Sequence, residues 1–223
     1  MRYYPVNLDI RDRECLVVGG GSVGTRKILT LLECGARVTV VSPKISDAIK
    51  ELPKEYPIAV REREYFPSDL KGMWLVIGAT NNKEVNQQIS KDAAKAGILC
   101  NIVDCPQECT FVLPAIVKQG DLVIAISTSG KSPAFAKRLR QRLSGEFGPE
   151  YGKFLDVMGT IRQKLLQQGK SLEEHRQTFE QLIDEGLLKL VKHNNGKQID
   201  ALLKKVLGEG FTLEDLFHTK SIE

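Results

Sequence analysis

The sequence predicts an α/β fold with a Rossmann-like parallel sheet in its N-terminal part. The first hundred residues alternate segments of helical periodicity with short runs rich in β-branched residues, a pattern typical of β-helix-β units. The four runs lie at residues 15–18, 37–41, 74–77 and 98–103. Several are apolar almost throughout, as expected of strands that helices cover on both faces. Because crossovers of this kind are right-handed, the repeated units predict a doubly wound sheet.

Residues typical of helix ends support this sheet. Asn82 is a candidate N-cap for a helix that carries Val85 and Ile89 on one face, and Gly97 is placed to end that helix. The sequence therefore predicts a crossover helix between the third and fourth strands.

After residue 104 the pattern changes to short strand-like runs at 110–113, 115–117 and 122–126, followed by a polar loop. A helix comes next, with Ser132 as its cap and Pro133 in its first turn, where a missing N–H is harmless. From about residue 149 the periodicity is helical throughout. The predicted core positions there are Leu165, Leu166, Phe179, Leu182, Ile183, Leu187 and Leu188. We therefore predict three parts, at residues 1–113, 114–148 and 149–223.

The composition excludes several classes of protein. The net charge of +4 is a mild surplus, which suits an anionic small molecule but lacks the clustered basic stripe of a nucleic-acid binder. No apolar run approaches the roughly 18 to 20 residues that a membrane helix needs. Residues 1–9 lack the features of a signal peptide. We therefore expect a cytoplasmic protein that binds neither nucleic acid nor membrane.

The five cysteines are odd in number and lie in or beside apolar runs, unlike a secreted disulfide framework. Three of them fall within residues 100–109, a spacing that raises the question of a metal site. No CxxC pair accompanies them, and the histidines, His175, His193 and His218, lie far downstream. We predict reduced thiols and no metal site.

The most informative motif is G-x-G-x-x-G, formed by Gly19, Gly21 and Gly24 directly after the first strand and at the start of a helix. Glycine is needed in such a loop for the tight turn, for close approach of a pyrophosphate and for close packing of helix on strand. The N–H groups of the helix then face the phosphates. The motif predicts a dinucleotide-binding loop, with a purely structural turn as the alternative.

One expected element of a dinucleotide site is missing. The second strand run continues as Ser42, Pro43 and Lys44, without the acidic residue that usually holds the ribose 2′-hydroxyl of NAD. Ser42 is a candidate to hydrogen-bond that hydroxyl. The positive charge of Lys44 keeps NADP as an alternative cofactor.

Several blocks of the sequence, in order along the chain, match the motifs of one family. They are Tyr4-Pro5-Val6 with Arg11-Asp12-Arg13, Val17-Val18-Gly19-Gly20-Gly21 with Arg26-Lys27, Ala79-Thr80-Asn81-Asn82, Cys100-Asn101-Ile102-Val103-Asp104, Phe111-Val112-Leu113-Pro114-Ala115, and Ser127-Thr128-Ser129-Gly130-Lys131-Ser132-Pro133. Through these blocks the chain resembles the siroheme synthase N-terminal module, which also occurs alone as precorrin-2 dehydrogenase and sirohydrochlorin ferrochelatase. The likeness covers residues 1–145 well, and the remainder by position and length.

The resemblance implies an NAD-dependent enzyme that oxidises precorrin-2 to sirohydrochlorin, and it leaves open whether the chain also inserts Fe²⁺. It implies a homodimer in which residues 114–148 are a dimerisation segment, with a cleft that NAD and the tetrapyrrole share. The resemblance implies that Asp104 is the catalytic carboxylate and that Ser22, Val23, Pro43 and Lys44 lie against the dinucleotide. Further candidates for the cofactor are Thr80, Ser42 and the three motif glycines. The candidates for the carboxylates of the substrate are Thr128, Ser129, Gly130, Lys131 and Arg138, with an ordinary basic helix face as the alternative explanation of the cations.

Two other interpretations compete with this one. Gly130, Lys131 and Ser132 resemble the end of a phosphate-binding P-loop, but Ala125 stands where the first glycine of that motif belongs. The second is a non-catalytic, NAD-sensing Rossmann module, which has no need of a carboxylate after the last strand. Asp104 favours the enzyme, and an ordinary aspartate in a surface turn is the alternative explanation of that residue.

Overall fold

The structure, a computed structural model, describes residues 2–168 and 172–217, without the side chains of residues 172 and 173. The chain divides into two compact units, Met1–Leu113 and Pro114–Glu223, called here the N-terminal unit and the C-terminal unit. The finer separation into three parts stays a prediction. None of the described helices combines the length and the apolar composition that crossing a bilayer requires.

The N-terminal unit is built on a five-stranded parallel sheet with the strand order β3-β2-β1-β4-β5. This order confirms the doubly wound, Rossmann-like prediction. The strands are β1 (Glu14–Gly20), β2 (Arg37–Ile45), β3 (Ile58–Arg61), β4 (Leu75–Gly78) and β5 (Leu99–Ile102). β3 was not predicted, because the strand is short and mostly exposed and therefore lacks a continuous apolar run.

Helices cover both faces of this sheet, since the side chains of β1 are shared between two apolar clusters. Cys15 and Val17 belong to one cluster, and Leu16 and Val18 to the other. Successive residues of a strand point to opposite faces, so full burial of all four requires cover on each side. The helices of this unit are α1 (Ser22–Glu33), α2 (Asp47–Lys50) and α3 (Lys83–Ala96).

The predicted ends of α3 are confirmed. The Asn82 carboxamide oxygen accepts hydrogen bonds from the N–H groups of Glu84 and Val85, at 2.9 and 3.2 Å. Gly97 ends the helix in the left-handed conformation, with φ of 67°. Each end thus has the residue type that satisfies its unpaired backbone groups.

Residues 110–113 do not form the predicted strand. The Thr110 hydroxyl accepts a hydrogen bond from the N–H of Cys100 at 2.8 Å, and the N–H of Thr110 donates to the Cys100 carbonyl at 2.9 Å. The Asn101 side-chain amide donates to the Phe111 carbonyl at 3.0 Å. Because side chains supply part of the pairing to β5, the segment follows the sheet without becoming a regular strand.

The C-terminal unit begins with an antiparallel hairpin of β6 (Ala115–Gln119) and β7 (Leu122–Ile126). Six helices follow among the described residues: α4 (Pro133–Glu146), α5 (Glu150–Gln167), α6 (Leu172–Asp184), α7 (Leu187–Lys192), α8 (Gly196–Leu207) and α9 (Leu213–Phe217). The predicted start of α4 is confirmed, because the Ser132 hydroxyl accepts a hydrogen bond from the N–H of Phe135 and Pro133 is the first helical residue.

The helical core of the C-terminal unit agrees with the prediction at most positions. Leu165, Leu182 and Leu187 are fully buried, and Phe179 and Leu188 are half-buried. The prediction is wrong for Leu166 and Ile183, which are each 53% exposed. Each directly follows a buried leucine, and the 100° step of a helix turns the next side chain away from the core.

Candidate functional site

Two of the three motif glycines are required by packing inside the loop. Gly19 has φ of +122°, a conformation that L side chains rarely adopt, and a Cβ there would overlap the Ala79 carbonyl oxygen. A Cβ on Gly24 would overlap the Gly19 carbonyl oxygen. These glycines let the loop pass close to the residues that follow β4 and let α1 begin against β1.

The third motif glycine, Gly21, faces open space. It is exposed, and a Cβ there would meet no atom within 4 Å. Gly21 is also the N-cap of α1, whose first turn begins with Ser22 and Val23. The first N–H groups of a helix have no partner inside the helix and carry partial positive charge. A glycine at this position leaves the space in front of these donors open, and helix N-termini of this kind suit anions.

Hydrogen bonds hold the loop from the side of β2. The N–H of Ser46 donates to the Gly20 carbonyl at 3.0 Å, and the Ser46 and Thr25 hydroxyl oxygens lie 3.0 Å apart. The Thr25 hydroxyl also lies 3.0 Å from the Gly21 carbonyl. The loop is therefore preorganised by its own chain.

The end of β2 differs from the sequence prediction. Pairing with β1 runs Val18 to Val41 and then Gly20 to Ile45, so the residues between Val41 and Ile45 form a bulge inside the strand. A proline is tolerated there because it has no ladder hydrogen bond to lose. The second strand thus continues past the predicted end at residue 41.

The bulge determines what its predicted site residues offer to a ligand. Pro43 and Lys44 are exposed, whereas Ser42 is 7% exposed and its hydroxyl donates to the Lys44 carbonyl at 2.8 Å. With its proton used inside the chain, the Ser42 hydroxyl is left as an acceptor only. The role expected for Ser42 at a ribose hydroxyl stays a prediction.

Thr80 lies just beyond β4 and forms a polar network with Asn86, which was not predicted as a site residue. Its hydroxyl is 2.8 Å from the Asn86 carboxamide oxygen, and the Asn86 amide donates to the Thr80 carbonyl at 3.0 Å. Asn86 lies on α3, one turn beyond its cap, and no local motif marks it. The network holds the loop after β4 against α3 at the same sheet edge as the glycine loop.

Asp104 lies in the turn that follows β5. It has φ of 60°, a left-handed conformation that aspartate tolerates better than most residues. The N–H groups before and after it, from Val103 and Cys105, donate to the carbonyls of Gly78 and Ile102 at 2.9 and 3.2 Å. Its side chain is exposed and makes no hydrogen bond or ion pair with the described residues. The turn is thus held by its backbone, and the carboxylate is left free at the carboxyl edge of the sheet.

The cysteines near Asp104 have structural partners. The Cys109 thiol accepts a hydrogen bond from the N–H of Ile102 at 3.1 Å and lies 3.2 Å from the Cys105 carbonyl, so it supports the same turn. Burial raises the pKa of the Cys100 thiol to about 12. Within residues 2–168 and 172–217 no three histidine, cysteine or acidic side chains are grouped to hold a metal ion, and His218 lies outside those residues.

In the C-terminal unit, the loop between β7 and α4 is a defined turn. Ser129 and Gly130 have φ of 53° and 81°. The Thr128 hydroxyl accepts a hydrogen bond from the N–H of Ser132 at 3.1 Å, and the Thr128 carbonyl accepts one from the N–H of Lys131 at 3.0 Å. The hydroxyl and the carbonyl of Thr128 therefore both stabilise the conformation of this loop.

Lys131 and Arg138 extend from this loop and from α4 into solvent. Neither forms an ion pair with another residue in the part of the chain that the structure describes. They lie in the C-terminal unit, whereas the glycine loop, the β2 bulge, Thr80 and Asp104 lie together at one sheet edge of the N-terminal unit.

Comparison with known proteins agrees with this geometry. Residues 6–115 match the family model described as putative NAD(P)-binding, and residues 119–145 match the model described as sirohaem biosynthesis protein central. The chain is 40% identical over 184 residues to the siroheme synthase of Nitrosomonas europaea, covering 82% of this chain and 39% of that protein. It is 31% identical over 214 residues to the siroheme synthase of Nitrosococcus oceani, covering 96% of this chain and 46% of that protein.

The chain thus spans less than half the length of these curated relatives. It also matches the solved structure of SirC, precorrin-2 dehydrogenase, with a TM-score of 0.74 and 29% sequence identity. That match covers 89% of this chain and 100% of the solved one. With two consecutive family models, many siroheme synthase relatives and a structural neighbour in agreement, the chain belongs to the family of the siroheme synthase N-terminal module.

Proposed function

We propose that this chain is an NAD-dependent precorrin-2 dehydrogenase that produces sirohydrochlorin for siroheme biosynthesis. The observation that carries the proposal is that the free carboxylate of Asp104 lies at the same sheet edge as Gly21, the exposed glycine of the glycine loop. Doubly wound sheets bind their ligands at this edge. The similarity to SirC, precorrin-2 dehydrogenase, supports the same activity.

The residues of the loop fit a dinucleotide. Gly21 has space for a pyrophosphate where a side chain would otherwise stand, and the N–H groups of Ser22 and Val23 begin the helix behind it. Exposed Pro43 and Lys44 border the loop on the β2 side. When bound, the nicotinamide ring supplies the hydride acceptor of the reaction.

Asp104 provides the second half of the chemistry. Oxidation of the macrocycle removes two electrons and two hydrogens, of which one leaves as a hydride and the other as a proton. The carboxylate is exposed and has no internal partner among the described residues, so it is available to take up that proton. A non-catalytic NAD-sensing module offers no reason for a free carboxylate at this position.

The loop and helix of the C-terminal unit suit the carboxylates around the precorrin-2 ring. Lys131 and Arg138 carry positive charge into solvent, and an arginine can bind a carboxylate with two parallel hydrogen bonds. The left-handed turn at Ser129 and Gly130 is held by the Thr128 hydroxyl, which accepts a hydrogen bond from the N–H of Ser132.

A homodimer is part of the proposal, with the hairpin as its contact surface. Val117 is 2% exposed, whereas Ile116 is 42% exposed and Val123 49% exposed on the other face. A second copy of this chain would cover that apolar face. Sedimentation should show a dimer for the wild type and a shift toward monomer for Val123→Lys. A wild type that is strictly monomeric and fully active would contradict the dimer.

Iron insertion stays a separate hypothesis, because no arrangement of the described residues favours it. The direct test of both activities is an anaerobic spectrum of precorrin-2 with the protein and NAD, followed by addition of Fe²⁺ or Co²⁺. We expect the more conjugated product to appear only when NAD is present. NAD binding without any spectral change would instead support the sensing module.

A further inference from the structure

The carboxyl end of the second strand is the part of a Rossmann fold that usually separates NAD from NADP. An acidic residue there holds the ribose 2′-hydroxyl of NAD, whereas a nearby arginine accommodates the 2′-phosphate of NADP. In this chain that end of β2 carries Ser42, Pro43 and Lys44, and Lys44 is exposed. The residues of β2 itself therefore do not explain a preference for NAD.

The neighbouring strand brings an arginine to the same end of the sheet. Parallel pairing joins Val41 of β2 to Arg61, the last residue of β3, so Arg61 lies beside the start of the β2 bulge. Adjacent strands are about 4.8 Å apart, and an arginine side chain is longer than that distance. Arg61 is therefore a cation of the type that accommodates a 2′-phosphate, at the place where such a cation acts.

The guanidinium group of Arg61 is already bound by a buried carboxylate. Asp69 lies in a short helical turn, Pro67–Leu70, and its side chain is 1% exposed. It accepts a hydrogen bond from Arg61 at 2.9 Å. Arg63 donates to both oxygens of the same carboxylate, at 2.7 and 2.5 Å, and the N–H of Phe66 donates at 3.0 Å. Asp69 thus holds two arginines at once.

The pairing with Arg61 exceeds what burial of Asp69 requires. A buried carboxylate needs a partner of opposite charge and further hydrogen bonds to offset its lost hydration. Arg63 satisfies the first need with a two-oxygen contact, and the N–H of Phe66 contributes to the second. The consequence of the additional bond falls on Arg61, whose guanidinium is fixed at the end of β3.

We propose that Asp69 determines a preference for NAD over NADP, because its ion pair with Arg61 withholds that guanidinium from a ribose 2′-phosphate. The inference rests on the dinucleotide site of the proposed function. Asp69 lies outside that site and acts through Arg61. A 2′-phosphate would have to break the pair to bind Arg61, and breaking the contacts of a buried carboxylate is costly.

The first test is titration of Asp69→Asn with NAD and with NADP. We expect the Kd for NADP to tighten about tenfold and the Kd for NAD to stay within about twofold of wild type, because only NADP gains a charge-assisted contact. Asp12→Asn is the matched control: it removes the Asp12–Arg37 ion pair, of 3.1 Å, at the other end of β2 and should change neither Kd. An unchanged ratio of the two Kd values in a folded Asp69→Asn protein would overturn the proposal.

A double variant tests whether the gain passes through Arg61. Arg61→Gln should abolish the tighter binding of NADP in the Asp69→Asn background and should leave both Kd values unchanged in the wild-type background. A gain that persists without Arg61 would overturn the proposal. Circular dichroism verifies folding, and Asp69→Ser, which keeps an oxygen to accept from the N–H of Phe66, replaces Asp69→Asn if that variant unfolds.

A spectroscopic readout needs no change at Asp69. The 2′-phosphate of bound NADP gives a ³¹P NMR signal that titrates with pH, with an ordinary second pKa of about 6 that a guanidinium contact lowers. The signal should titrate identically in wild type and in Arg61→Gln. A lower pKa of the phosphate in wild type would show that Arg61 already binds it, and would overturn the proposal.

These binding measurements separate the inference from the proposed function. The predicted gain for NADP in a protein that does not oxidise precorrin-2 would support the role of Asp69 and refute the dehydrogenase. A protein that oxidises precorrin-2 but shows an unchanged ratio of Kd values in Asp69→Asn would refute the role of Asp69 alone.

Discussion

The two units of the chain differ in how they bury polar side chains. Among the described residues, the buried polar side chains of the N-terminal unit are Thr25, Thr39, Ser42, Asp69 and Asn101, and that of the C-terminal unit is His175. The His175 Nε2 atom is also the buried side-chain nitrogen or oxygen that lacks a hydrogen-bond partner in the described part of the chain. In the N-terminal unit the side chains of Thr25, Ser42, Asp69 and Asn101 are hydrogen-bonded. The helical core of the other unit contains a buried nitrogen without a partner.

This difference distinguishes the region around the proposed ligand site from a helical core that only stabilises the fold. Thr25, Ser42 and Asn101 bond to the glycine loop, to the β2 bulge and to the segment after β5, which all lie around the proposed ligand edge. The core of the C-terminal unit is apolar apart from His175, so its stability comes from burial. Substitutions at the sheet edge should change chemistry or local geometry, and substitutions in the helical core should change stability alone.

The largest expected effect is that of Asp104→Asn at the sheet edge. The variant keeps the size of the side chain but cannot take up a proton at neutral pH, so dehydrogenation should fall by about 10² to 10⁴. NAD titration should give an unchanged Kd. Asp121→Asn, in the exposed turn of the hairpin, is the control from the other unit. A loss of dehydrogenation rate of less than about threefold would show that Asp104 serves only the structure of the turn.

The second prediction compares two glycines of one loop. Gly19→Ala should lower the free energy of unfolding by about 2 to 4 kcal/mol, since its Cβ meets a carbonyl and its φ is left-handed. Gly21→Ala should leave stability nearly unchanged, because its Cβ has open space. Urea denaturation followed by circular dichroism measures both.

Gly21→Asp extends that comparison to the ligand. It should stay folded but lose NAD binding, because a carboxylate would occupy the space proposed for the pyrophosphate. Unchanged affinity for NAD in this variant would show that the loop has a structural role only.

The third prediction concerns a buried ion pair outside the site. The Asp69 carboxylate accepts hydrogen bonds from Arg63 at 2.7 Å and Arg61 at 2.9 Å, and from the N–H of Phe66 at 3.0 Å. The hydrogen bonds from Arg63, from that N–H and from Arg61 lower the pKa of Asp69 to about 2. Its folded pKa therefore lies below the unfolded value of about 3.9, so its stabilisation is present above pH ~4 and is lost as the pH falls toward 2.

Asp69→Asn should therefore cost about 2 kcal/mol of unfolding free energy at pH 7, and the gap to wild type should shrink between pH 5 and pH 2. Denaturant titrations across this range measure the gap. Glu64→Gln, at an exposed neighbouring position, should show no such pH dependence. A gap that stays constant down to pH 2 would contradict the assignment.

The smallest expected effect lies in the helical core. His175→Leu removes a buried nitrogen that has no partner and should raise the free energy of unfolding by about 1 kcal/mol. Thermal unfolding should show a higher Tm with unchanged dehydrogenase activity. A fall in activity at constant stability would show that the helical core also serves the site.

Much of the N-terminal unit was predictable because its signals are local. The apolar runs of β1 and β4, the Asn82 and Gly97 ends of α3, and the glycine loop each depend on residues close together in the chain. Such signals reflect backbone geometry and strand or helix periodicity, which neighbouring residues determine.

Asn86 was not predicted as part of the site. Nothing in its sequence neighbourhood distinguishes it from an ordinary helical polar residue. Its role depends on Thr80, which reaches it through the packing of α3 on the sheet. The same applies to the bulge of β2, which brings the Lys44 carbonyl close to Gly20 of the glycine loop.

The sequence by itself determined the fold class of the N-terminal unit, the position of its glycine loop and the helical character of the C-terminal unit. Tertiary structure alone decided that β3 forms one edge of the sheet and that Leu166 and Ile183 face outward. It also decided that the residues at the ends of β1, β2, β4 and β5 lie together at the carboxyl edge of the sheet. The physical reason is that periodicity shows which residues prefer burial, whereas the choice among near-equivalent faces and partners depends on contacts between distant parts of the chain.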